Sequence, residues 1–459
     1  MKFVVSAIAL LLAACASVDN PGTAPAPATA WTPPASAVPP VTKFESTLPA
    51  NTTLTLADVV NIAVANNPQT REAWLNARTA EANLGSRQSA YYPEVDLNAT
   101  AGRSIVGASP GRASASSTTV APSLALSYLL FDFGGRAATV EEARQTLIAA
   151  DFEHNQAIQN VVLTAETSYF QYLDAKALLG AQAGTLKERQ AELDTANARH
   201  DAGLATIADV LQARTALSQA QLTYETIEGN LRTIEGTLAT AMGLPATTHF
   251  DFGELPSTVA TDETSQAVDA LIAQATVDRP DLAAARADAE RARAHITEVR
   301  SAYLPSLTLN STTGRTFFLA PNALNATNSF SASIGLRFPL FTGFRNVFDE
   351  RAARLQAELA LEDVRDLTQQ VGLQVWSSYY AVQTAKQRVT TSRDLLASAQ
   401  ESANVAAARY REGVGTILDV LTAQSALETA RAQEVQSRAD YLLALAELAH
   451  ATGKLGAPK

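Results

Sequence analysis

The sequence predicts a mainly α-helical protein with a small β part, built as two internal structural repeats. Four strands per chain would combine from three copies into a trimeric β-barrel of about 12 strands, continuous with a long α-helical coiled-coil barrel. Three observations carry this expectation. Nearly the whole chain is written twice. Within each half the hydrophobic period switches from two to about 3.5, so strands give way to long, seamed helices. The strands are too few to close a membrane barrel, which takes at least about eight, and an open sheet edge cannot face lipid.

The duplication is legible in several places. ARHDAGLATIADVL at 198–211 returns as ARYREGVGTILDVL at 408–421. SAYYPEVDLN at 89–98 returns as SAYLPSLTLN at 301–310, and LSYLLFDFGGR at 126–136 as LRFPLFTGFR at 336–345. Asn67-Pro68 is answered by Arg279-Pro280. A repeat this long exceeds any solenoid unit and reads as a duplicated half. The boundaries are 54–244 and 265–453, with a linker at 245–264 and a short tail at 454–459.

Each half has one order of elements. Thr55-Leu56-Ala57-Asp58 reads as a capping box opening the first helix. Pro68 interrupts that helix, because proline disfavours helical backbone at the residue before it. Helix resumes to about Ala90, and Pro93 ends it. Val95, Leu97 and Ala99 then alternate with Asp96, Asn98 and Thr100, and Leu124, Leu126 and Tyr128 with Ser123, Ala125 and Ser127. This is the alternation of a two-faced strand. Residues 107–119 read as a polar loop between them, and residues 321–328 as its counterpart. Beyond Gly135 the apolar steps become three and four: Leu147, Ala150, His154, Ala157 and Val161, then Leu217, Ala220, Tyr224, Ile227 and Leu231. The second half repeats them through Ala353, Ala357, Ala360, Val364, Leu367 and Val371. Residues 137–199 hold no proline, which allows a rod of roughly 90 Å at 1.5 Å per residue.

The N-terminus reads as a secretory signal over residues 1–14: Lys2, then a short apolar run from Phe3 to Leu12. Leu12-Ala13-Ala14-Cys15 resembles a bacterial lipoprotein box, which makes Cys15 the lipidated first residue. One lipid anchors only reversibly, so other membrane contacts are expected. Residues 15–53 are rich in Pro, Ala and Thr and read as the anchor and a flexible tether. The net charge of −11, with no basic run, speaks against nucleic acid. Cys15 is the sole cysteine and the five histidines are scattered, so no metal site and no cofactor beyond the covalent lipid are expected. No phosphate-cradling, zinc-protease or nucleophile-elbow motif occurs, so no catalytic residues are assigned.

The duplicated halves, two strands per half, long hairpins, lipobox and paired R-x-x-x-G-x-x-T-I-x-D-V-L motifs resemble the TolC-type outer-membrane factors, in particular their lipidated efflux and nodulation-type branch. The resemblance spans about Leu54 to Gly453. It implies a passive homotrimeric conduit across outer membrane and periplasm, in a tripartite efflux or type I secretion system. Its partners would be a periplasmic adaptor (membrane fusion) protein, an inner-membrane transporter and outer-membrane lipid. Tyr128, Phe131, Phe133, Phe338 and Phe341 flank the strands as an interfacial aromatic girdle would.

The doubled motif marks where each rod reverses. Gly203 and Gly413 suit the positive φ of a helix C-terminus. Thr206 and Thr416 would cap the returning helices, with Asp209 and Asp419 in their first turns. The resemblance places these turns at the periplasmic tip, where carboxylates from three chains would ring one aperture. Relatives latch that aperture with a tyrosine and an arginine. Tyr410 matches the tyrosine, Gly415 stands at the arginine position, and Arg411 lies nearby. The alternative reading is a lipid-tethered periplasmic coiled-coil scaffold protein without a pore, which accounts for the rods but poorly for the strands.

Overall fold

The computed structural model describes residues 53–108, 110–111, 115–258, 267–320 and 323–455. The signal segment, Cys15 and nearly all of the expected tether lie outside them. In chain order the elements are β1 (Thr53–Leu54), α1 (Leu56–Asn66), α2 (Pro68–Gln88), β2 (Glu94–Val106), β3 (Ala115–Phe131), α3 (Gly135–Asp201), α4 (Ile207–Ala241), β4 (Asp251–Phe252), α5 (Val268–Asp278), α6 (Pro280–Ser301), β5 (Ser306–Ala320), β6 (Ala323–Arg337), α7 (Arg345–Arg411) and α8 (Ile417–Ala451).

The rods are longer than proline spacing alone required. Helices α3 and α7 each run 67 residues, about 100 Å at 1.5 Å per residue. Each folds back on a 35-residue partner, α4 or α8. Alanines close the seams: Ala196 and Ala213 in the first hairpin and Ala403 and Ala430 in the second are buried, which lets the backbones approach. Larger side chains gather around the middle of each rod. Val161, Tyr169, Leu173, Leu238 and Met242 form one core, and Val371, Val375, Val382, Tyr441 and Leu448 its counterpart.

The helix break preceding each strand pair shows how the duplication diverged. The Asn67 side chain caps α2 by accepting from the Gln69 N–H at 2.9 Å, and donates to the carbonyl of Ala241 at 3.1 Å. Arg279 occupies the matching place. It is buried, makes a two-point ion pair with Asp281, and donates to Gln374 and to the carbonyl of Ala451. Different chemistry therefore ties each break to the last turn of its own hairpin.

The four long strands form one antiparallel sheet ordered β2-β3-β5-β6. The register decides its character. Val95 lies opposite Leu126, Leu97 opposite Leu124, Tyr128 opposite Leu309, Leu309 opposite Ile334, and Leu307 opposite Leu336. On the alternate positions Asn98 meets Ser123, Ser127 meets Asn310, Asn310 meets Ser333, and Thr312 meets Ser331. One face is mainly apolar, with Ser311 and Thr313 of β5 interrupting it, and the other mainly polar, the dyad pattern of a lipid-facing wall with a wet lumen. Every residue of β2 is exposed, and Phe330, Ile334 and Leu336 of β6 are 75%, 65% and 71% exposed. The outer edges of β2 and β6 have no partner strand among the described residues. Among the described residues no helix is long and apolar enough to cross a membrane.

Three expectations are corrected. Residues 115–119 are strand, paired as far as Val106–Ala115, so the first loop is shorter than its polarity suggested; β6 likewise begins at Ala323. Serine and threonine suit a strand whose neighbours, not a core, supply the pairing. The linker is also partly built into the fold. Phe252 in β4 is 1% exposed and packs edge-to-face on Tyr169 and Tyr172, while β4 pairs in parallel with β1. Thr53, at the end of the expected tether, belongs to β1.

Candidate functional site at the hairpin tips

Both rods reverse by the same device. Helix α3 ends with the Leu204 N–H donating to the Arg199 carbonyl, and α7 with the Val414 N–H donating to the Arg409 carbonyl, each around a glycine at positive φ: Gly203 at 71° and Gly413 at 77°. This is the helix C-terminus that glycine favours. Thr206 and Thr416 then open α4 and α8 as complete capping boxes. Each hydroxyl accepts from the aspartate N–H three residues on, and the Asp209 and Asp419 carboxylates each accept the threonine N–H at 2.9 Å. The hydrogen bonds from the Thr416 N–H and hydroxyl hold Asp419 below the usual carboxylate range. It therefore stays ionised at neutral and mildly acidic pH.

The two tips are joined across the duplication. Arg199, on α3, donates from Nη1 to the carbonyl of Tyr410 at 2.9 Å and to that of Arg411 at 3.0 Å. Its guanidinium sits 4.7 Å from the Tyr410 ring centroid, within cation–π range. Tyr410 is buried against Ile417 and Val420, and its hydroxyl makes no hydrogen bond of good geometry, with the Arg199 guanidinium beside it. The Arg411 side chain donates to the Ala407 carbonyl on its own helix. So the expected pair of Tyr410 and Arg411 does not join the tips through its polar ends; Tyr410 contributes a ring and a carbonyl, and Arg199 supplies the link. A Cβ on Gly415 would lie 3.2 Å from the Cβ of Arg409 and 3.3 Å from its backbone. A side chain at this position would press on the end of α7.

Above the link, α3 and α8 share a polar layer. Arg431 makes a two-point pair with Glu188 at 2.9 and 3.0 Å. Arg189, 5% exposed, donates to Gln424 at 2.8 Å and contacts Glu192 and Glu428. Glu192 Oε1 is buried with no hydrogen bond. Burial pushes its carboxyl up to about 7; Arg189 opposes the rise and Glu188 adds to it. The folded chain thus holds this proton more tightly than the unfolded chain. Its stability is whole below the ordinary glutamate range and falls as pH rises from there to about 7. Glu192→Gln should raise the melting temperature at pH 8, by the equivalent of about 1–3 kcal/mol, and leave it unchanged near pH 4.5. An equal gain at both pH values would contradict the buried-proton account.

At the other end of each rod the strands turn sharply into helix. Phe133 and Phe344 take positive φ, unusual for aromatic residues, beside Gly134 and Gly343. Asp132 accepts from the Arg136 N–H, and the Arg136 guanidinium lies over the Tyr91 ring. Phe131 and Phe133 stack edge-on at this corner, and Phe341 pairs with Phe344 at the matching one. Phe338 and Phe341 are 52% and 77% exposed, whereas Tyr128 is half-buried within β3. The exposed rings gather where sheet meets helix.

A two-faced sheet with open edges, joined to rods of about 100 Å, is the architecture of known export channels. The model of the family described as outer membrane efflux protein matches residues 59–244 and 271–454, one stretch per repeat. The chain belongs to the outer membrane efflux protein family. It is an outer-membrane channel component that reaches into the periplasm. Protein CyaE of Bordetella pertussis is 27% identical over 442 residues, covering 94% of this chain and 88% of that one. Outer membrane protein TolC of Escherichia coli is 26% identical over 412 residues, covering 87% and 82%. The fold is shared with the outer membrane protein VceC of Vibrio cholerae, with a TM-score of 0.76 at 21% identity, covering 88% and 97%.

Proposed function

We propose that three copies of this chain form a passive export conduit. Four strands from each would close one barrel through the outer membrane, and the hairpins would form a tube across the periplasm. The observation that carries this reading is the sheet: two unpaired edges and an apolar face with side chains up to 75% exposed. Such a sheet is untenable alone in water or in lipid. Closure by further copies removes both edges at once. A pore-free scaffold leaves edges and face unexplained.

The tips would be the regulated end. Leu204, Ile207 and Leu211 on one reversal and Val414 and Leu418 on the other are exposed beside the capped aspartates. An apolar rim next to fixed negative charge suits docking of a periplasmic adaptor, with an inner-membrane transporter supplying energy and this chain performing no chemistry. Cys15 would carry the lipid that holds the N-terminus to the same membrane. The aromatic corners, with Phe131, Phe133, Phe338 and Phe341, would sit at the inner membrane–water boundary. The protein purified in detergent is expected to have the mass of a trimer and to insert into planar bilayers in uniform conductance steps. A monodisperse monomer that inserts nothing would overturn the proposal.

A further inference from the structure

Below the sheet, the fold assembles three metal-ligating side chains that the sequence keeps far apart. His295 and Glu298 lie one turn apart on α6 of the second repeat, and Glu142 lies two turns into α3 of the first. His295 Nδ1 is 2.8 Å from Glu298 Oε2 and 3.4 Å from Glu142 Oε1. One donor atom from each residue falls within 4.8 Å of the other two. Glu142 Oε1 is shut away from solvent and has no hydrogen-bond donor of good geometry.

We propose that Glu142, His295 and Glu298 bind a divalent transition-metal cation of the zinc class, which staples the two repeats together where the helices meet the sheet. Two carboxylates and a neutral imidazole present two negative charges, balanced by one divalent ion. The imidazole selects against magnesium and calcium, which prefer all-oxygen sets. Ligand atoms bonded at about 2.0–2.2 Å to a tetrahedral zinc lie roughly 3.4 Å apart, so the His295–Glu298 pair need only open slightly from 2.8 Å while the His295–Glu142 spacing of 3.4 Å already fits. Three protein ligands leave a fourth position for water. Water can enter, because an adjoining cavity of about 600 Å³ is lined by Glu142 and Glu298 together with Thr139 and Arg291. Arg291 is itself paired with Asp288 at 3.0 Å, so it is not committed to these carboxylates. Any cation here would cross-link α3 to α6, and so the first repeat to the second.

The test uses the full-length protein in detergent, stripped with EDTA and titrated calorimetrically with zinc chloride, then with magnesium and calcium chlorides. Saturable binding of one zinc per chain is expected, with no competition from the other two ions. His295→Gln and Glu142→Gln should each weaken it by more than about 100-fold, beyond what loss of an outer-shell partner costs. Their melting temperatures in EDTA should match the unaltered protein, which shows that the variants fold; the melting gain on zinc addition should vanish with either change. Absence of saturable zinc binding at the EDTA-stripped site would overturn the proposal. So would unchanged affinity in both variants, which would place any bound zinc elsewhere.

Discussion

Arg199→Ala is expected to raise the resting conductance of the reconstituted channel by about 10- to 100-fold. Arg199 donates two charge-assisted hydrogen bonds to backbone carbonyls on the neighbouring hairpin and stacks on Tyr410. Such bonds contribute about 1.5–3 kcal/mol each, and a cation–π contact about 0.5–2. Water replaces much of what is lost at these solvent-facing tips, so a net loss of about 1.4–2.8 kcal/mol from the linked arrangement is expected, and each 1.4 kcal/mol is tenfold. Arg199→Lys should fall between, because one ammonium nitrogen can still donate to both carbonyls but loses the planar guanidinium's stacking on the Tyr410 ring. Tyr410→Phe should change less than Arg199→Ala, because the hydroxyl makes no hydrogen bond of good geometry while the ring and carbonyl remain. Arg411→Ala should also be nearly silent, as its guanidinium bonds within its own helix. If Arg199→Ala conducts like the unaltered channel, the link between tips does not govern closure.

Phe252→Ala is expected to cost about 3–5 kcal/mol and to lower the thermal midpoint accordingly. The ring is enclosed by Tyr169, Tyr172 and Phe250, with centroid distances of 5.5, 5.0 and 5.6 Å. Truncation would leave a cavity lined by aromatic faces in the middle of the rod. Lys176, which donates to the Phe252 carbonyl at 2.7 Å, keeps the strand in place and limits collapse. Phe252→Leu should retain most of the stability. A surface linker would show a change within about 0.5 kcal/mol on the same substitution, and that result would mean the segment is not seated.

These two sites were also the hardest to find in the sequence. The long helices, their breaks and the caps at Thr55, Thr206 and Thr416 carry local signals, because spacing and capping chemistry act within a few residues. The sheet was legible from alternation at Val95–Ala99 and Leu124–Tyr128, and its incompleteness from a count of strands. Arg199 opens the doubled motif, but its role carries no such mark: its acceptors are backbone carbonyls 211 and 212 positions away, and a carbonyl is the same in every residue. Phe252 sits in a two-residue strand within a Pro- and Thr-rich stretch, too short for any period to register. His295 was one of five scattered histidines until the packing of α6 on α3 brought Glu142 to it. The strand residues 115–119 were hidden because a wet lumen needs no hydrophobic face at every position.

The central claim is that the free edges of β2 and β6 are closed by other copies of the chain. Cysteine pairing tests it directly, because Cys15 is the sole native cysteine and, once lipidated as proposed, offers no competing thiol. Within one chain β2 and β6 are three strand spacings apart, about 14 Å, far beyond the ~7 Å limit between Cα atoms for a disulfide. Asn98→Cys can therefore be combined in turn with Ser329→Cys, Ser331→Cys and Ser333→Cys, and each double variant oxidised in membranes. The account predicts that at least one combination yields covalent dimers and trimers on a denaturing gel. If every combination stays monomeric, while the in-chain control pair Asn98→Cys and Ser123→Cys oxidises readily, the edges are not shared and the trimeric conduit is contradicted.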